Sequence, residues 1–200
     1  MEAANKMIVF GFTGTFAAGK DTAIAIISRK FGKSAMEIST SDLVREETAK
    51  RGLSLERENL RQVSNDMRLR FGAGIFGDMT IRQIKQHGEK SIFLVSGIRS
   101  IGEVETLRQA FDDKFVLITV DAPFEIRYNR IKGRARAGEH VMTLAEFKTS
   151  EEKELKGEAH SQNIAAVMKL ADYTIQNSGS TRELGEKIEQ ILKKVNVLRS

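Results

Sequence analysis

Short apolar runs alternate along the chain with longer segments in which apolar residues recur every three or four positions. Such runs are typical of strands buried on both faces of a sheet, whereas the periodic segments are typical of helices with one buried face. The predicted strands cover residues 7–12, 35–38, 91–95, 115–120 and 173–175. The predicted helices cover residues 22–31, 53–70, 79–86, 103–111, 162–170 and 184–195, with further helices capped by residues 39–42, opened by Pro123 and running from Thr143 towards Lys156.

Strands that alternate with helices predict one architecture. Parallel neighbours in a sheet need crossover connections, which helices supply. We therefore expect an α/β fold of three layers, in which a five-stranded parallel sheet carries helices on both faces. Ligands of such sheets bind beyond the carboxyl ends of the strands. Polar clusters follow the predicted strands at residues 13–22, 39–45, 96–100, 121–122 and 176–180.

The first predicted strand runs into Gly14-Thr15-Phe16-Ala17-Ala18-Gly19-Lys20, which has the spacing of a phosphate-binding loop. A strand that ends in this motif before a helix bends backbone N–H groups around an anion, and the helix N-terminus attracts the same charge. Gly14 and Gly19 permit backbone angles and close approaches that a Cβ forbids, and Lys20 reaches the β- and γ-phosphates of a nucleotide. The alternative is a glycine-rich turn, which leaves Lys20 unexplained. The predicted nucleotide-binding residues of this segment are Gly14, Thr15, Ala17, Ala18, Gly19, Lys20, Asp21 and Thr22.

One position departs from the motif. The motif has Ser or Thr after its lysine, where the hydroxyl binds Mg²⁺, whereas this chain has Asp21 and places the hydroxyl at Thr22. A carboxylate beside a triphosphate is repulsive unless a cation lies between them. We therefore interpret Asp21 as a candidate Mg²⁺ ligand, directly or through water.

Composition limits the classes of protein to which the chain can belong. Its 200 residues are 40% hydrophobic and 30% charged, enough to bury a sizeable core, and we expect one domain over residues 1–200. Cysteine is absent, which excludes disulfides and thiolate metal sites. We see no signal peptide and no apolar run of the roughly 18 residues that a membrane span needs, so we expect a cytoplasmic protein without a membrane partner. The net charge of +5 suits nucleic acid or arginines around a phosphate-transfer site, and we favour the second.

Four segments match known sequence patterns, namely Gly19-Lys20-Asp21-Thr22 and residues 38–45, 97–108 and 171–180. Together they resemble the P-loop nucleoside monophosphate kinase superfamily, in particular its dephospho-CoA kinase-like and deoxynucleoside monophosphate kinase-like branch. The first segment resembles the loop of deoxynucleoside monophosphate kinases, and the second is similar to the adenylate-kinase segment that begins the monophosphate-binding region. The third resembles the third-strand region of a family of small P-loop proteins. The fourth resembles that family too, and also the element of dephospho-CoA kinases near the adenine pocket.

The resemblance implies a kinase that uses ATP and Mg²⁺, with an acceptor-binding insertion at about residues 39–80 and a lid at about residues 131–157. The basic stretch with Arg134 and Arg136 matches the lid, where guanidinium groups close over the phosphates and exclude water. Family members carry aspartate where this chain has Ser96, so that carboxylate is missing near the metal. Asp21 and, more distantly, Asp121 are the candidates to replace it.

The predicted catalytic residues are Lys20, Arg99, Arg134 and Arg136. Arg99 follows a buried strand and a glycine and is expected to project into the crevice beyond the sheet. Arg127 and Arg130 precede the lid on a helix, near enough to join the same cluster. A solvated basic face is the alternative for Arg127, Arg134 and Arg136.

The acceptor and the base have their own candidate residues. Arg45 and Arg61, with Arg99, are candidates for binding the phosphate of the acceptor. Asp42 orients an acceptor group or caps its helix. Asn177 and Gly179 follow the last predicted strand. They are candidates for lining the base pocket through backbone contacts, and the alternative is a plain strand-to-helix turn.

The sequence therefore predicts a kinase that moves the γ-phosphate of ATP to a nucleoside or deoxynucleoside monophosphate, with small-molecule nucleotides as its partners. Dephospho-CoA is the second acceptor, suggested by residues 171–180. A hypothesis of another class is a nucleotide-binding module or slow NTPase switch, and Ser96 motivates it.

Overall fold

A computed structural model describes residues 7–134, 142–155 and 162–197. The strands are Ile8–Thr13 (β1), Ala35–Ser39 (β2), Ile92–Ser96 (β3), Phe115–Asp121 (β4) and Tyr173–Gln176 (β5). The helices are Lys20–Phe31 (α1), Thr40–Lys50 (α2), Arg57–Phe71 (α3), Ile75–Gln86 (α4), Ile101–Phe111 (α5), Phe124–Arg134 (α6), Leu144–Leu155 (α7), Ile164–Lys169 (α8) and Thr181–Lys194 (α9). Within these residues, no helix is both long and apolar enough to cross a membrane.

The described strands form a parallel sheet of five, in the order β2-β3-β1-β4-β5. β1 is central, with β3 and β4 on either side. The register places Phe12 opposite Ser96 and Thr13 opposite Thr119, so the carboxyl ends of these strands meet at one edge. The predicted α/β fold with a five-stranded parallel sheet is confirmed, and its ligand-binding edge is the one where β1, β3 and β4 end.

Helices cover both faces of the sheet. On one face, Phe10 of β1 belongs to a core cluster with Ile27 of α1 and Leu184 of α9. On the other face, Val9 belongs to a cluster with Leu107 of α5 and with residues of α4 and α8. Full burial of one such side chain stabilises the fold by about 1.5–3 kcal/mol. Because Val9 and Phe10 face opposite sides of the sheet and helices cover both sides, β1 is buried along its whole length.

A lobe with its own core stands beside the sheet. It consists of α2, α3 and the first half of α4, and we call it the helical lobe. Its buried core residues are Leu43, Val44, Val63, Met67, Ile75 and Phe76. The helical lobe occupies the segment predicted as the acceptor-binding insertion, and that role stays a prediction.

Two helix starts differ from the prediction by four residues. α3 begins at Arg57 and not at residue 53, because α2 ends in a turn with Gly52 at a φ of +70° and the chain stays non-helical up to Glu56. α4 begins at Ile75 and not at residue 79. Gly77 falls between the predicted helices 53–70 and 79–86 but lies inside α4, where a Cβ would approach Thr106 Cβ at 3.1 Å. Glycine at this position therefore permits close packing of α4 on α5.

Candidate active site

The segment between β1 and α1 has the unusual backbone angles that a phosphate-binding loop requires. Gly14 and Gly19 have φ angles of +131° and +105°, and Ala17 adopts a φ of +60°. A Cβ at Gly14 would lie 1.9 Å from Val120 O, and a Cβ at Gly19 would lie 2.3 Å from Asn177 Nδ2. The shape of the loop therefore depends on both glycines, because a larger residue meets the end of β4 or the residue after β5.

Side chains from neighbouring elements fix the loop. Thr15 Oγ1 donates a hydrogen bond of 2.6 Å to Asp121 Oδ1 at the end of β4. Asn177 is buried, and its Nδ2 donates to Ala18 O at 2.7 Å. Arg130 of α6 donates to Ala18 O at 3.0 Å and to Asn177 O at 2.9 Å. Groups from β4, β5 and α6 thus converge on the loop, and the Asn177 side chain contacts it directly.

Lys20 is the first residue of α1 and is half-buried. Its Nζ donates to the carbonyl oxygens of Gly14 at 2.9 Å and Thr15 at 2.7 Å. The ammonium group therefore lies against the start of the loop. The predicted contact of Lys20 with a nucleotide therefore requires the ammonium group to leave these carbonyl oxygens for a phosphate oxygen, which is a stronger acceptor because it is charged.

Asp21 and Thr22 follow in the first turn of α1, where Asp21 is exposed and Thr22 half-buried. Ser96 ends β3 beside the end of β1. Within the residues that the structure describes, no three His, Cys, Asp or Glu side chains gather as metal ligands. Mg²⁺ nevertheless needs only one or two carboxylates when phosphates and water supply its other ligands. Asp21 is therefore sufficient as a single carboxylate for a Mg²⁺ ion that arrives with a nucleotide, and its contact with the metal stays a prediction.

Arg127 is only 5% exposed, so its interpretation as part of a solvated basic face is wrong. Its Nε donates to Ala122 O at 2.7 Å, and Nη1 pairs with Glu151 of α7. Its guanidinium also lies 5.7 Å from the ring centre of Phe147. Arg127 therefore connects α6 to α7. This contact could not be predicted from the position of Arg127 in the sequence.

Phe147 connects α7 to the phosphate-binding loop. It is fully buried, and its ring centre lies 6.1 Å from that of Phe16, 5.1 Å from that of Phe124 and 5.8 Å from that of Tyr128. Since Phe16 belongs to the loop, the charged helix that the sequence places in the lid contacts the loop through an aromatic side chain.

The predicted lid contains two arginines, Arg134 and Arg136. Arg134 is the last residue of α6, but its side chain is not among the described ones, and Arg136 lies outside the described residues. Their catalytic roles stay predictions.

Arg99 lies at the predicted edge of the sheet, after Gly97 with a φ of +80°. Its backbone N–H donates to Glu103 Oε2 at 2.7 Å, and its Nη1 donates to Gln162 Oε1 at 3.0 Å. Glu103 is completely buried, and its Oε1 accepts hydrogen bonds from Arg68 Nη2 at 2.7 Å and Nε at 3.2 Å. The pair of Arg68 and Glu103 therefore anchors the helical lobe to the residues after β3.

The predicted acceptor-binding residues lie on the surface of the helical lobe. Arg45 Nη1 donates to Asp42 Oδ1 at 2.6 Å, and both side chains are at least half exposed. Asp42 does not cap α2, because Ser39 Oγ accepts the hydrogen bond from the Asp42 N–H at 3.2 Å. Arg61 donates to Glu58 at 2.6 Å, and this hydrogen bond raises the pKa of Arg61 above its usual value. These contacts lie within single helices.

Further ion pairs hold α2 and α3 together. Arg51 donates to Glu47 at 2.8 Å and to Asp66 at 2.6 Å, and the pKa of Arg51 is raised, chiefly by the bond to Glu47. The hydrogen bond from Arg51 is also the main reason that the pKa of Asp66 lies below its usual value. Arg70 pairs with Asp66 as well, at 2.7 Å.

Two residues with contacts at this edge, Arg57 and Glu103, are not among the predicted site residues. Arg57 is the first residue of α3, and its guanidinium lies 5.3 Å from the ring centre of Phe16. Nothing in the local sequence indicates this contact between distant segments. The sequence does indicate a structural role for Glu103, because Ser100-x-x-Glu103 is the pattern of a capping box. Both hydrogen bonds of the capping box are present at the start of α5.

Gly179 follows β5 on the way to α9 and is exposed. A Cβ there would lie 1.8 Å from Glu183 Oε2, in the first turn of α9. The Glu183 carboxylate is the exposed end of a flexible side chain and can move away, so packing does not require glycine at position 179, and the contact of Gly179 with a base stays a prediction.

Comparison with known proteins places the chain in a family. The sequence model of a family described as AAA domain matches residues 13–146. The UPF0200 protein of Thermococcus onnurineus is 31% identical, and the match covers 92% of this chain and 95% of that protein. The chain belongs to the UPF0200 family of P-loop proteins. A UPF0200 protein of Thermococcus gammatolerans is 33% identical, over 79% of this chain and 81% of that protein. Against the UPF0200/UPF0201 protein of Archaeoglobus fulgidus the identity is 37% over 95% of this chain, which spans only 56% of that relative.

Solved structures confirm that this UPF0200 chain has a P-loop kinase-like fold. The crystal structure of TT1252 from Thermus thermophilus superposes with a TM-score of 0.59, at 19% identity, over 94% of this chain and 98% of the other. A shikimate kinase of Acinetobacter baumannii in complex with shikimate superposes with a TM-score of 0.53, at 17% identity, over 99% of both chains. At these identities the likeness establishes the fold, and the substrate needs a separate argument.

Proposed function

We propose that this chain is a single P-loop kinase domain that uses ATP and Mg²⁺ to phosphorylate a nucleoside or deoxynucleoside monophosphate. The observation that carries the proposal is the loop at residues 14–20, whose glycines adopt positive φ angles and whose Lys20 ammonium lies beside it. The contacts of the loop with β4, β5 and α6 support it, because a fixed loop stabilises charge without rearranging.

Phosphoryl transfer depends on alignment and charge neutralisation more than on covalent help. An oxygen of the acceptor phosphate forms a bond to the γ-phosphorus while the bond from that phosphorus to the bridging oxygen of ADP breaks, and the electron pair stays with ADP. Backbone N–H groups of the loop and the Lys20 ammonium bind the phosphates and stabilise the spreading charge. When bound, Mg²⁺ would neutralise part of the triphosphate charge, and Asp21 is the residue proposed to hold it.

Arginines from three segments are proposed to complete the site. Arg99 lies at the carboxyl edge of the sheet, and Arg134 and Arg136 come from the lid segment. On the helical lobe, Arg45 and Arg61 are proposed to bind the acceptor. Their exposed ion pairs support this role, because such pairs contribute only about 0–1 kcal/mol and exchange readily for a phosphate.

The remaining acceptor-side roles follow the same argument. Asp42 is proposed to orient the acceptor, and Asn177 and Gly179 to lie near the base of ATP. The partners are then small nucleotides, with no nucleic-acid or membrane partner, and a cytoplasmic location suits them. Dephospho-CoA is the second proposed acceptor.

An acceptor screen tests this function. Purified protein is incubated with ATP and Mg²⁺ and, in turn, with each nucleoside monophosphate, each deoxynucleoside monophosphate, dephospho-CoA and shikimate, while ADP and the phosphorylated product are followed together. We expect product from one class of monophosphate at a turnover of the order of 10 per second. ADP release that does not depend on any acceptor would contradict a kinase.

Ser96 favours a second candidate, a slow NTPase switch. The end of β3 carries a hydroxyl beside β1, and the neighbouring carboxylate at the end of β4, Asp121, accepts a hydrogen bond from Thr15. If the chain is a switch, it binds ATP tightly and turns it over slowly without acceptor, and Ser96→Asp raises the turnover. An acceptor-dependent wild type whose turnover falls in Ser96→Asp would exclude this alternative.

A further inference from the structure

One buried polar atom of the helical lobe has no hydrogen-bond partner among the residues that the structure describes. Asn65 of α3 is half-buried, its Oδ1 atom is completely buried, and no described donor reaches that oxygen. Other buried polar groups of the lobe are paired, since Thr48 Oγ1 and Thr80 Oγ1 each donate to the backbone carbonyl four residues earlier, at 2.7 Å. Because buried polar groups in proteins are normally hydrogen-bonded, Asn65 Oδ1 requires an explanation.

Asn65 lies on the stretch of α3 that runs from the phosphate-binding loop to the start of α5. At the beginning of this stretch, the Arg57 guanidinium lies 5.3 Å from the ring centre of Phe16 in the loop. At its other end, Arg68 pairs with the buried Glu103 at 2.7 Å. These two contacts are about 16 Å apart along the helix, at 1.5 Å per residue. Asn65 comes three residues before Arg68 and is therefore its neighbour on the same side of α3, the side that faces the edge of the sheet.

We propose that Asn65 binds the base of the acceptor nucleotide, with Oδ1 accepting a hydrogen bond from an N–H group of that base, and this inference rests on the proposed kinase function. An amide oxygen only accepts hydrogen bonds, and an ionised phosphate donates none, so the phosphate is not its partner. Arg61, which is proposed to bind the acceptor phosphate, lies one helical turn nearer to the loop. A nucleotide whose phosphate points towards the loop therefore directs its base towards Asn65.

The proposal predicts opposite effects of Asn65 on stability and on binding. A buried acceptor without a donor lowers the stability of the protein without nucleotide, and an N–H group of the base removes that penalty on binding. A residue with a purely structural role would instead stabilise the protein. Removal of the Asn65 amide is therefore expected to raise the thermal stability and to weaken the binding of the acceptor, as is common for residues that serve binding.

The experiment compares Asn65→Val and Gln62→Ala with the wild type. Valine has a helix propensity similar to that of asparagine, so the first variant tests the loss of the amide. Gln62 is the control because it is an exposed amide on the same helix, where its Nε2 donates to Glu58 at 3.1 Å. Thermal unfolding is measured without ligands. Calorimetry then measures the affinity for a nonhydrolysable ATP analogue and, with that analogue bound, for each nucleoside monophosphate and for ribose 5-phosphate, which has no base.

The expected results separate the base from the rest of the nucleotide. Asn65→Val should raise the melting temperature by about 2–4 °C, because the unpaired oxygen is gone. It should weaken the binding of the monophosphate by about threefold to tenfold, the effect of one neutral hydrogen bond. The affinities for the ATP analogue and for ribose 5-phosphate should not change. Gln62→Ala should resemble the wild type in every measurement.

Four results would overturn the proposal. Monophosphate affinity that is unchanged in Asn65→Val excludes the contact, and an equal loss for ribose 5-phosphate assigns it to the sugar or the phosphate. A lower melting temperature shows that Asn65 has a structural role in the protein without nucleotide. A wild type that binds no monophosphate leaves Asn65 without the proposed ligand.

The test also separates this inference from the proposed kinase function. If the wild type binds a monophosphate through Asn65 but forms no product in the acceptor screen, the kinase function is wrong and the binding role of Asn65 stands. If product forms and Asn65→Val matches the wild type in binding, the kinase function stands and the role of Asn65 is wrong.

Discussion

Cationic side chains lie at both the phosphate-binding loop and the helical lobe, but their hydrogen-bond partners differ. At the loop, Lys20, Arg127 and Arg130 donate to backbone carbonyl oxygens, which belong to a fixed chain. In the lobe, Arg45 and Arg61 are exposed and pair with carboxylates one helical turn away. Exposed pairs of this kind are weak, about 0–1 kcal/mol each. The loop therefore keeps its shape, whereas Arg45 and Arg61 of the lobe can exchange partners at little cost in free energy.

The base of the lobe is an exception to this contrast. Arg68 and Glu103 are buried, and Arg68 also lies over the Phe76 ring at 4.9 Å. Glu103 in addition accepts hydrogen bonds from the backbone N–H groups of Arg99 and Ser100. The surface of the lobe is thus adaptable, while its attachment to the sheet is fixed. The variants described next test this division.

Glu103→Gln is expected to have the largest effect. It leaves the buried Arg68 without a negative partner, which lowers the free energy of unfolding by about 3–5 kcal/mol. Urea unfolding measures the change. Arg108→Ala is the control, because Arg108 pairs with Asp172 at 3.0 Å in a partly exposed site, and its loss should stay below about 1 kcal/mol. Losses of similar size in the two variants would show that the buried pair does not anchor the lobe.

Gly14→Ala is expected to disturb the loop itself. Its Cβ would lie 1.9 Å from Val120 O at a φ of +131°, so the loop must shift. Strain and overpacking together lower the free energy of unfolding by about 2–4 kcal/mol, and ATP affinity falls strongly. Gly185→Ala, at a helical position of α9 with open space around it, serves as the control and should be neutral or stabilising. If Gly14→Ala binds ATP as the wild type does, ATP binding does not depend on the shape that Gly14 gives the loop.

The sequence predicted the loop well because its determinants are local. The spacing of Gly14, Gly19 and Lys20 is visible in a single stretch. The parallel sheet was predicted from apolar runs that alternate with helical segments along the chain. Arg127 and Arg57 were predicted poorly because their partners lie far away along the chain. Arg127 pairs with Glu151 and Arg57 covers Phe16, and no periodicity relates these residues.

The helical lobe shows the same limit in its boundaries. Glycine has a low helix propensity, and the predicted helices leave out Gly77, yet it lies inside α4 because α5 packs closely there. This packing depends on Thr106, which is distant in sequence. Local propensity is thus overridden by tertiary contact in the lobe, while at the loop the two agree.

Asn177→Ala tests the attachment of the loop at a single hydrogen bond. Asn177 is buried, and its removal leaves Ala18 O with the bond from Arg130 alone among the side-chain donors described here. The expected loss in the free energy of unfolding is about 1–3 kcal/mol, together with weaker ATP binding. Asn59→Ala is the matched variant in the lobe, where the amide donates to Ser54 near the surface, and it should change stability by less than about 0.5 kcal/mol. Equal losses would remove the contrast between the two regions.

The smallest effect is expected for Asp66→Asn, which probes an ion pair of the lobe by its pH dependence. The hydrogen bond from Arg51 holds the pKa of Asp66 below its usual value, so the folded protein binds this proton more weakly than the unfolded chain does. The contribution to stability is therefore complete above the unfolded pKa of about 4 and is lost as the pH falls through the lower folded value. Unfolding free energies of wild type and Asp66→Asn, compared from pH 7 to pH 2, should differ slightly at neutral pH and converge in acid. Asp78→Asn, an exposed aspartate of α4, controls for the loss of one charge. A difference that grows in acid would show that Asp66 is not stabilised by its arginine.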